Sequence, residues 1–206
     1  YHIFCLVSVM WLSLKLGGHN ILIPNPRDMD GMVEVLRKHH FNVLPAVNTM
    51  FNGLVNHAGF RTLDFSGLRI SNGGGMAVQR AVAEKWLELT GTPIVEGFGL
   101  TETSSGATCN PVMSTAYTGD VGMPMPSTEV SIRDDSENPV PDGTAGEICI
   151  RGPQVMRGYW QRPDETTQVM TRDGFFKSGD IGVMLPSGHI KIVDRKKDMI
   201  LVSGFN

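Results

Sequence analysis

The sequence predicts an α/β fold, with an α/β subdomain at about residues 1–126 followed by a β-rich subdomain at about residues 127–193. Around residues 68–95, a short strand, a glycine turn, an amphipathic helix and a second apolar run follow one another, which is the order of a βαβ unit. From about residue 127, short strands alternate with turn sequences. The 206 residues, 41% hydrophobic and 19% charged, are enough for a sizeable core.

Charge and cysteine content exclude several classes of protein. A net charge of -3 provides no basic field for nucleic acid, and no polybasic cluster marks a membrane anchor. The three cysteines are far apart and form no Cys-x-x-Cys pair, which indicates a reduced compartment and no structural zinc. We therefore expect a cytoplasmic protein. Peripheral association with the inner membrane and the oligomeric state are left open.

The apolar run Ile3–Leu14 is predicted to form a buried helix that Gly17-Gly18 ends. It lacks a basic leader and a cleavage site, so it is not a signal peptide. It is also shorter than the roughly 20 apolar residues of a spanning helix. The chain does not begin with Met, and Ser203–Asn206 forms no closing element, so we expect a piece of a longer protein.

Three further elements are predicted between this helix and the βαβ unit. Asp30 caps a helix that runs to about His39, and a strand follows around Asn42–Leu44. A second helix is predicted at Asn48–Val55. Its apolar residues Met50, Leu54 and Val55 fit ordinary core packing as well as they fit the wall of a ligand pocket.

The βαβ unit consists of a strand at Leu68–Ile70, a turn at Ser71–Gly75 and a helix at Met76–Thr90 that Gly91 ends. Three consecutive glycines lower stability through chain entropy, and close approach of a ligand to the backbone would explain their presence. Neither Gly-x-Gly-x-x-Gly nor Gly-x-x-x-x-Gly-Lys-Ser/Thr occurs. Dinucleotide and Walker-type sites are therefore unsupported.

The β-rich half contains predicted strands at Thr128–Arg133, Glu147–Arg151 and Gly188–Val193. Turn sequences at residues 134–138 and 141–143 separate the first two strands.

Most of the chemistry is concentrated in Glu96–Ser105, directly after the apolar run at residues 93–95. Two glycines let the backbone approach a ligand, an aromatic ring offers a stacking face, two hydroxyls can hydrogen-bond, and a carboxylate is a hard ligand for Mg²⁺. A nucleotide with its metal would use all of them. The alternative is a glycine-rich loop with a solvated carboxylate and helix-capping threonines. The residues are Gly97, Phe98, Gly99, Thr101, Glu102 and Thr103.

Gly97–Glu102 resembles the Tyr-Gly-x-Thr-Glu motif of the adenylate-forming (AMP-binding) superfamily, with Phe98 where the family usually has Tyr. The sequence is most similar to the bacterial long-chain fatty acid CoA ligases, over essentially the whole chain and with several motifs in the family's order. The resemblance implies part of the large N-terminal domain of an adenylate-forming enzyme, in which an α/β subdomain precedes a β-rich, barrel-like subdomain.

The resemblance also implies an activity, which is ATP-dependent activation of a long-chain fatty acid to an acyl adenylate and transfer of the acyl group to coenzyme A. The expected ligands are the fatty acid, ATP or AMP, Mg²⁺ and coenzyme A. By resemblance, Thr101, Glu102 and His2 are catalytic, and Glu102 binds the metal. The nucleotide-binding residues are Gly73, Gly74, Gly75, Gly97, Phe98, Gly99, Asp180, Ile192 and Arg195, with Phe98 and the three-glycine backbone on adenine and the Asp180 and Arg195 side chains on ribose.

Further stretches match the family. Tyr1-His2 resembles the end of Pro-Leu-Phe-His, which lines the pocket near the reacting carboxylate, although such a His is more often structural. Gly146–Gly152 and Gly158–Trp160 resemble Gly-Glu-Leu...Gly-Tyr-Trp, which is largely structural, and neither is assigned to chemistry. Phe176–Gly182 resembles the Thr-Gly-Asp motif, with Lys177-Ser178 replacing a basic-Thr pair. Without that resemblance, Asp180 would be assigned to a turn.

The last stretch, residues 194–206, resembles the hinge toward the family's small C-terminal domain, with the pivot at Lys197. A solvated loop is the alternative for so charged a sequence. The resemblance places the triphosphate-binding loop before Tyr1 and the adenylation lysine after Asn206, so this segment alone is expected to be inactive. Two other functions stay open, which are adenylation of an aryl or amino acid, and non-catalytic binding of a nucleotide or fatty acid.

Overall fold

The structure is a computed structural model that describes residues 2–195 and divides into two compact units. The first comprises the chain up to Glu96 together with Pro111–Gly119, and the second comprises Gly97–Asn110 together with the chain from Asp120. The predicted mixture of α and β elements is confirmed. The proposed pivot Lys197 and most of the predicted hinge lie outside the described residues.

The first unit opens with the predicted helix, built as α1 (Ile3–Cys5), a π-helical stretch (Leu6–Trp11) and α2 (Leu12–Lys15). It ends as predicted, with Gly17 at φ +73°. The prediction that it is buried is wrong, because none of its residues is buried and the Trp11 side chain is 59% exposed. An apolar sequence shows that a segment can be buried, but it does not show which other element buries it. In the described part of the chain, every helix is too short or too polar to cross a bilayer.

Helix α3 (Met29–Lys38) is capped by Asp28 rather than by the predicted Asp30. The Asp28 Oδ1 atom accepts a hydrogen bond of 2.9 Å from the Gly31 amide, which satisfies one of the free N–H groups of the first turn. Asp30 instead lies inside the helix, where its carboxylate contacts the His57 ring at 2.8 Å.

A parallel sheet forms the centre of the first unit. Strand β1 (Val43–Ala46) pairs with β2 (Ile70–Gly73), and β2 pairs with the first three residues of β3 (Ile94–Phe98). The predicted βαβ unit is therefore confirmed. Helix α4 (Asn48–Asn56) and a 3₁₀ turn (Phe60–Thr62) follow β1.

Helix α5 connects β2 to β3 and spans Arg80–Thr90, so it begins at Arg80 rather than at the predicted Met76. The preceding N–H groups are bound by side chains from other elements, since Val78 donates to Glu96 Oε1 at 2.8 Å and Gln79 donates to Asn48 Oδ1 at 2.9 Å. The predicted end is confirmed, with Gly91 left-handed at φ +69°.

Aromatic side chains fill the core between α4, α5 and the sheet. The fully buried Trp86 ring lies 4.7 Å from Phe51 and 5.4 Å from Phe60 between ring centroids, and its indole N–H donates to Ser71 Oγ at 2.9 Å. Leu54 of α4 is also fully buried. The inward face of α4 therefore packs into the core, which is the ordinary alternative left open above.

The second unit is β-rich. The last two residues of β3 pair with β4 (Thr108–Cys109), which pairs with β5 (Met123–Pro124). A four-stranded antiparallel sheet then follows in the order β6 (Glu129–Arg133), β7 (Gly146–Arg151), β8 (Phe176–Met184) and β9 (Ile190–Arg195). Helix α6 (Pro163–Val169), which was not predicted, precedes β8.

One edge of this sheet is held by a charged cluster around Phe175. The guanidinium carbons of Arg133 and Arg151 lie 4.3 and 4.4 Å from the centroid of its ring. Arg133 also donates to both carboxylate oxygens of Asp173, at 2.9 and 2.7 Å. These two hydrogen bonds neutralise a guanidinium whose side chain is almost fully buried.

Candidate active site

The chemically rich stretch Glu96–Ser105 starts as a strand and becomes a tight turn. Its first three residues are the end of β3, and Thr101–Thr103 form a single 3₁₀ turn. The buried Thr103 hydroxyl accepts from the Leu100 amide at 2.9 Å and donates to the Leu100 carbonyl at 3.1 Å. Thr103 thus closes the turn, while Thr101 is exposed at its start.

The glycines of this stretch are required by the chain itself. A Cβ on Gly99 would lie 1.7 Å from the Ser105 carbonyl oxygen, and one on Gly97 would lie 3.0 Å from the Thr108 carbonyl oxygen. Ser105 itself is held at φ +90° where the backbone folds back. A ligand is therefore not needed to explain Gly99, because a neighbouring turn occupies the space of a side chain. A contact of the Gly97 or Gly99 backbone with a nucleotide stays a prediction.

Glu102 is half-buried and is held at two points. Its carboxylate Oε1 accepts a hydrogen bond of 2.8 Å from the Tyr159 hydroxyl, and its carbonyl oxygen accepts one of 2.7 Å from the Met156 amide. Burial, and then the hydrogen bond to Glu102, raise the pKa of Tyr159 to about 12. At neutral pH the phenol is therefore protonated and donates to the carboxylate.

The side chains around Glu102 are enough to bind Mg²⁺ only together with a bound ligand that supplies further oxygen atoms. Residues 2–195 contain no cluster of three or more His, Cys, Asp or Glu side chains that could hold a metal. A single carboxylate suits Mg²⁺, which keeps several waters and takes its other ligands from substrate phosphates. Glu102 beside the exposed Thr101 hydroxyl has this character, and both belong to one turn.

Asp180 and Arg195, the two predicted ribose ligands, contact each other. They are paired across β8 and β9, and Asp180 Oδ1 lies 3.1 Å from Arg195 Nε. Asp180 is only 5% exposed and lies in a strand, so it is not the turn residue that the local sequence alone would have indicated. Burial raises the pKa of Asp180 above its ordinary value, and the Arg195 charge opposes this rise.

Phe98 and Ile192 are both partly buried against the core of the second unit. Phe98 pairs with Thr108 of β4, and Ile192 pairs with Gly182 of β8. Both side chains therefore have a structural role in addition to any contact with a nucleotide.

The three-glycine stretch of the first unit is less open than predicted. A Cβ on Gly73 would lie 2.9 Å from methyl groups of Val78 and Ile94, and one on Gly74 would lie 2.8 Å from the Phe4 ring. Internal packing therefore explains the lack of a side chain at Gly73 and Gly74, while contact of their backbone with a nucleotide stays a prediction. Gly75 is exposed at φ +77°.

His2 is exposed, and its ring Nδ1 accepts a hydrogen bond of 3.3 Å from the Phe4 amide. This contact caps α1, which gives the residue a structural role. A catalytic role for His2 stays a prediction.

Sequence reasoning missed two residues that support these sites. Tyr159 lies in a segment interpreted as structural, and no local signal identifies Glu102, 57 residues away, as its partner. Glu96 was read with the nucleotide loop, yet its buried carboxylate fixes the Val78 amide after the glycine turn. A buried acid at the end of an apolar strand is the signal that could have identified Glu96.

Comparison with known proteins gives consistent matches over the chain. The family described as AMP-binding enzyme matches residues 1–160. A long-chain-fatty-acid--CoA ligase of Yersinia pestis is 55% identical over 206 residues, and one of Salmonella typhimurium is 52% identical over the same length. Each match covers 100% of this chain and 36% of the relative, so the chain spans about a third of the length of these relatives.

The fold matches solved structures as well. A crystal structure of ATP-bound MatB from Rhodopseudomonas palustris superposes with a TM-score of 0.85 at 28% identity. That match covers 100% of this chain and 40% of the MatB chain.

Proposed function

This chain belongs to the AMP-binding enzyme family, and from that premise we propose that the full-length protein is a long-chain fatty acid CoA ligase. It joins a fatty acid to the AMP moiety of ATP with release of pyrophosphate, and then transfers the acyl group to the thiol of coenzyme A with release of AMP. The proposal is supported by relatives of that name at 52–55% identity along the whole chain.

The structural observation that carries the proposal is the position of Glu102. Its carboxylate is fixed by Tyr159 and its backbone by Met156, in the 3₁₀ turn that follows β3. Attack of a carboxylate on the α-phosphate brings two anions together, so the site has to neutralise charge and align the reactants. A bound Mg²⁺ would supply the positive charge, with Glu102 as its protein ligand. The Thr101 hydroxyl is proposed to hydrogen-bond the α-phosphate or the substrate carboxylate.

The remaining nucleotide contacts are proposed within each unit separately. In the second unit, Asp180 accepts hydrogen bonds from the ribose hydroxyls while Arg195 holds the carboxylate in place, and the Phe98 ring offers a face for adenine. In the first unit, the Gly73–Gly75 backbone is the candidate for a base contact, with Gly75 as its exposed member.

Acid-dependent pyrophosphate exchange in the full-length protein tests the function. With MgATP we expect exchange with palmitate, little with acetate or benzoate, and a palmitoyl thioester once coenzyme A is added. Exchange that prefers benzoate or an amino acid would assign the chain to another adenylating activity. ATP or fatty acid binding without any exchange would identify a non-catalytic binding protein.

Location and membrane contact belong to the same proposal. We place the protein in the cytoplasm, with peripheral contact at the inner membrane where its apolar substrate is dissolved. Co-sedimentation of the full-length protein with phospholipid vesicles, with and without palmitate, tests this contact.

A further inference from the structure

Residues 154–159, here called the bracing segment, run along the turn that carries Glu102. Four hydrogen bonds join the bracing segment to residues 102–106, two of them to Glu102 and two to the residues that follow the turn. Ser104 Oγ donates to the Gln154 carbonyl at 2.8 Å, and Gln154 Nε2 donates to the Gly106 carbonyl at 3.2 Å. The Met156 amide and the Tyr159 hydroxyl both donate to Glu102, to its carbonyl and to its carboxylate respectively. The bracing segment thus fixes the backbone of the turn and one atom of the acidic side chain.

Tyr159 is itself held from its other side. Its amide donates to Thr166 Oγ1 of α6 at 2.9 Å, and the Thr166 hydroxyl donates to the Arg162 carbonyl at 2.9 Å. The tyrosine is partly buried, so its ring has limited freedom. The contacts with the start of α6 therefore fix the position from which the Tyr159 hydroxyl donates to Glu102 Oε1.

A glutamate has three rotatable side-chain bonds, and a metal ligand gains affinity when those bonds are fixed before the metal arrives. A neutral donor on one carboxylate oxygen fixes the rotamer and leaves the second oxygen for a cation. Partners of this kind, which contact a ligand rather than the metal, typically change metal affinity or activity by about 10- to 100-fold when they are removed.

We propose that Tyr159 is a positioning residue whose hydroxyl orients Glu102 for the metal ion of the bound nucleotide. This inference rests on the proposed function, because it needs Glu102 as the metal ligand. It assigns a specific role to a residue in a segment that the family resemblance indicated was largely structural.

The test removes the hydroxyl alone, as Tyr159→Phe in the full-length protein. Binding of Mn²⁺ is measured by electron paramagnetic resonance of the free ion, in the presence of α,β-methylene-ATP, which cannot be cleaved at the bond broken in adenylation. We expect the Mn²⁺ dissociation constant to rise about tenfold, with the thermal midpoint within about 2 °C of wild type.

Tyr117→Phe is the matched control. Its hydroxyl also makes a short hydrogen bond, of 2.6 Å, but to the Val78 carbonyl in the first unit. We expect its Mn²⁺ affinity to equal that of wild type. An equal loss in both variants would overturn the proposal, because it would show a general effect of removing a tyrosine hydroxyl.

A double-mutant cycle then asks whether Tyr159 acts through Glu102. The cycle uses Glu102→Ala, which removes both the carboxylate and the acceptor of the Tyr159 hydrogen bond. If Tyr159 acts through Glu102, Tyr159→Phe has no further effect on Mn²⁺ affinity once Glu102→Ala is present. An undiminished effect in the Glu102→Ala background would overturn the proposal.

The same measurements separate this inference from the proposed function. If the wild type exchanges pyrophosphate and Tyr159→Phe binds Mn²⁺ as tightly as the wild type does, only the inference is overturned. If Tyr159→Phe binds Mn²⁺ more weakly but the wild type exchanges no pyrophosphate, the proposed function is overturned and the metal-site inference is supported. A wild-type protein that binds no Mn²⁺ with the nucleotide would overturn both.

Discussion

The Asp180 carboxylate and the Arg195 guanidinium form an ion pair across β8 and β9, with Oδ1 and Nε 3.1 Å apart. Burial nevertheless affects the pKa of Asp180 more than the ion pair does, since that pKa is raised despite the neighbouring Arg195 charge. The ionised carboxylate is therefore less favourable in the folded state than in the unfolded state. Its ionisation lowers stability as the pH rises through the raised pKa.

Asp180→Asn should therefore separate stability from binding. We expect the thermal midpoint at pH 7 to be unchanged or higher, while ATP affinity falls about 10- to 100-fold through loss of charge-assisted hydrogen bonds to ribose. Calorimetric titration with ATP and with 2′,3′-dideoxy-ATP measures this. The variant should discriminate less between the two nucleotides than the wild type does, because a neutral amide oxygen accepts weaker hydrogen bonds than a carboxylate. Asp142→Asn, in an exposed turn, is the control. If the native enzyme binds both nucleotides equally, the assignment of Asp180 to ribose binding is contradicted.

Glu102→Gln should lower the rate of pyrophosphate exchange by about 100-fold or more, the scale of losing one charge-stabilising group. The fold should be retained, because the amide oxygen can still accept the Tyr159 hydrogen bond. Exchange rate and thermal midpoint are measured together in the full-length protein. Glu88→Gln, on the exposed side of α5, should change neither. Normal exchange with a lowered midpoint would show that Glu102 is structural.

Gly99→Ala tests whether the glycine serves the fold or a ligand. Because a Cβ would meet the Ser105 carbonyl oxygen at 1.7 Å, we expect a loss of stability of about 3 kcal/mol or more. Denaturant unfolding of the full-length protein provides the measurement. Gly67→Ala, where the nearest atom to a Cβ would be at 3.5 Å, should be tolerated. A stable Gly99→Ala protein with weakened nucleotide binding would instead favour a ligand at this position.

The Arg133–Asp173 pair should make stability sensitive to acid. Hydrogen bonds from Arg133 hold the pKa of Asp173 well below its usual range, so the ionised carboxylate stabilises the fold. That contribution is present above the unfolded pKa of about 3.9 and is lost as the pH falls toward the folded pKa. Asp173→Asn should lower the thermal midpoint at pH 7 by roughly 2 °C or more and flatten its decline in acid.

Asp142→Asn, which removes a carboxylate from an exposed turn, controls for net charge. Thermal scans between pH 3 and pH 7, at about half-unit steps around the unfolded pKa, compare the three proteins. A decline in acid that is the same in Asp173→Asn as in wild type would show that other groups cause it.

The sequence correctly predicted features that depend on residues close together along the chain, such as the end of α5. Gly91 ends α5 because a left-handed residue is needed there, and that signal is visible in the sequence. The start of α5 was mispredicted because Val78 fits the helical period, whereas its amide is bound by Glu96 from β3. The cap of α3 was missed because Asp28 and Asp30 are chemically equivalent until the backbone places one of them over Gly31.

The same distinction applies to the site. Glu102 and Asp180 could be selected from the sequence because the surrounding residues match a family pattern. Tyr159 could not be connected to Glu102, because the contact depends on how the bracing segment folds back over the turn. The pairing of Asp180 with Arg195 likewise follows from the register of β8 and β9, which neither stretch specifies alone.

The tryptophans give each unit its own optical reporter. Trp86 has no exposed surface and lies among aromatic rings in the first unit, whereas Trp160 is 86% exposed beside Tyr159 in the second. An indole in an apolar core fluoresces at shorter wavelength than one in water. Variants that retain only Trp86 should therefore shift to longer wavelength when the first unit unfolds. Variants that retain only Trp160 should emit at long wavelength throughout, and their intensity should respond to quenchers in solution before any unfolding.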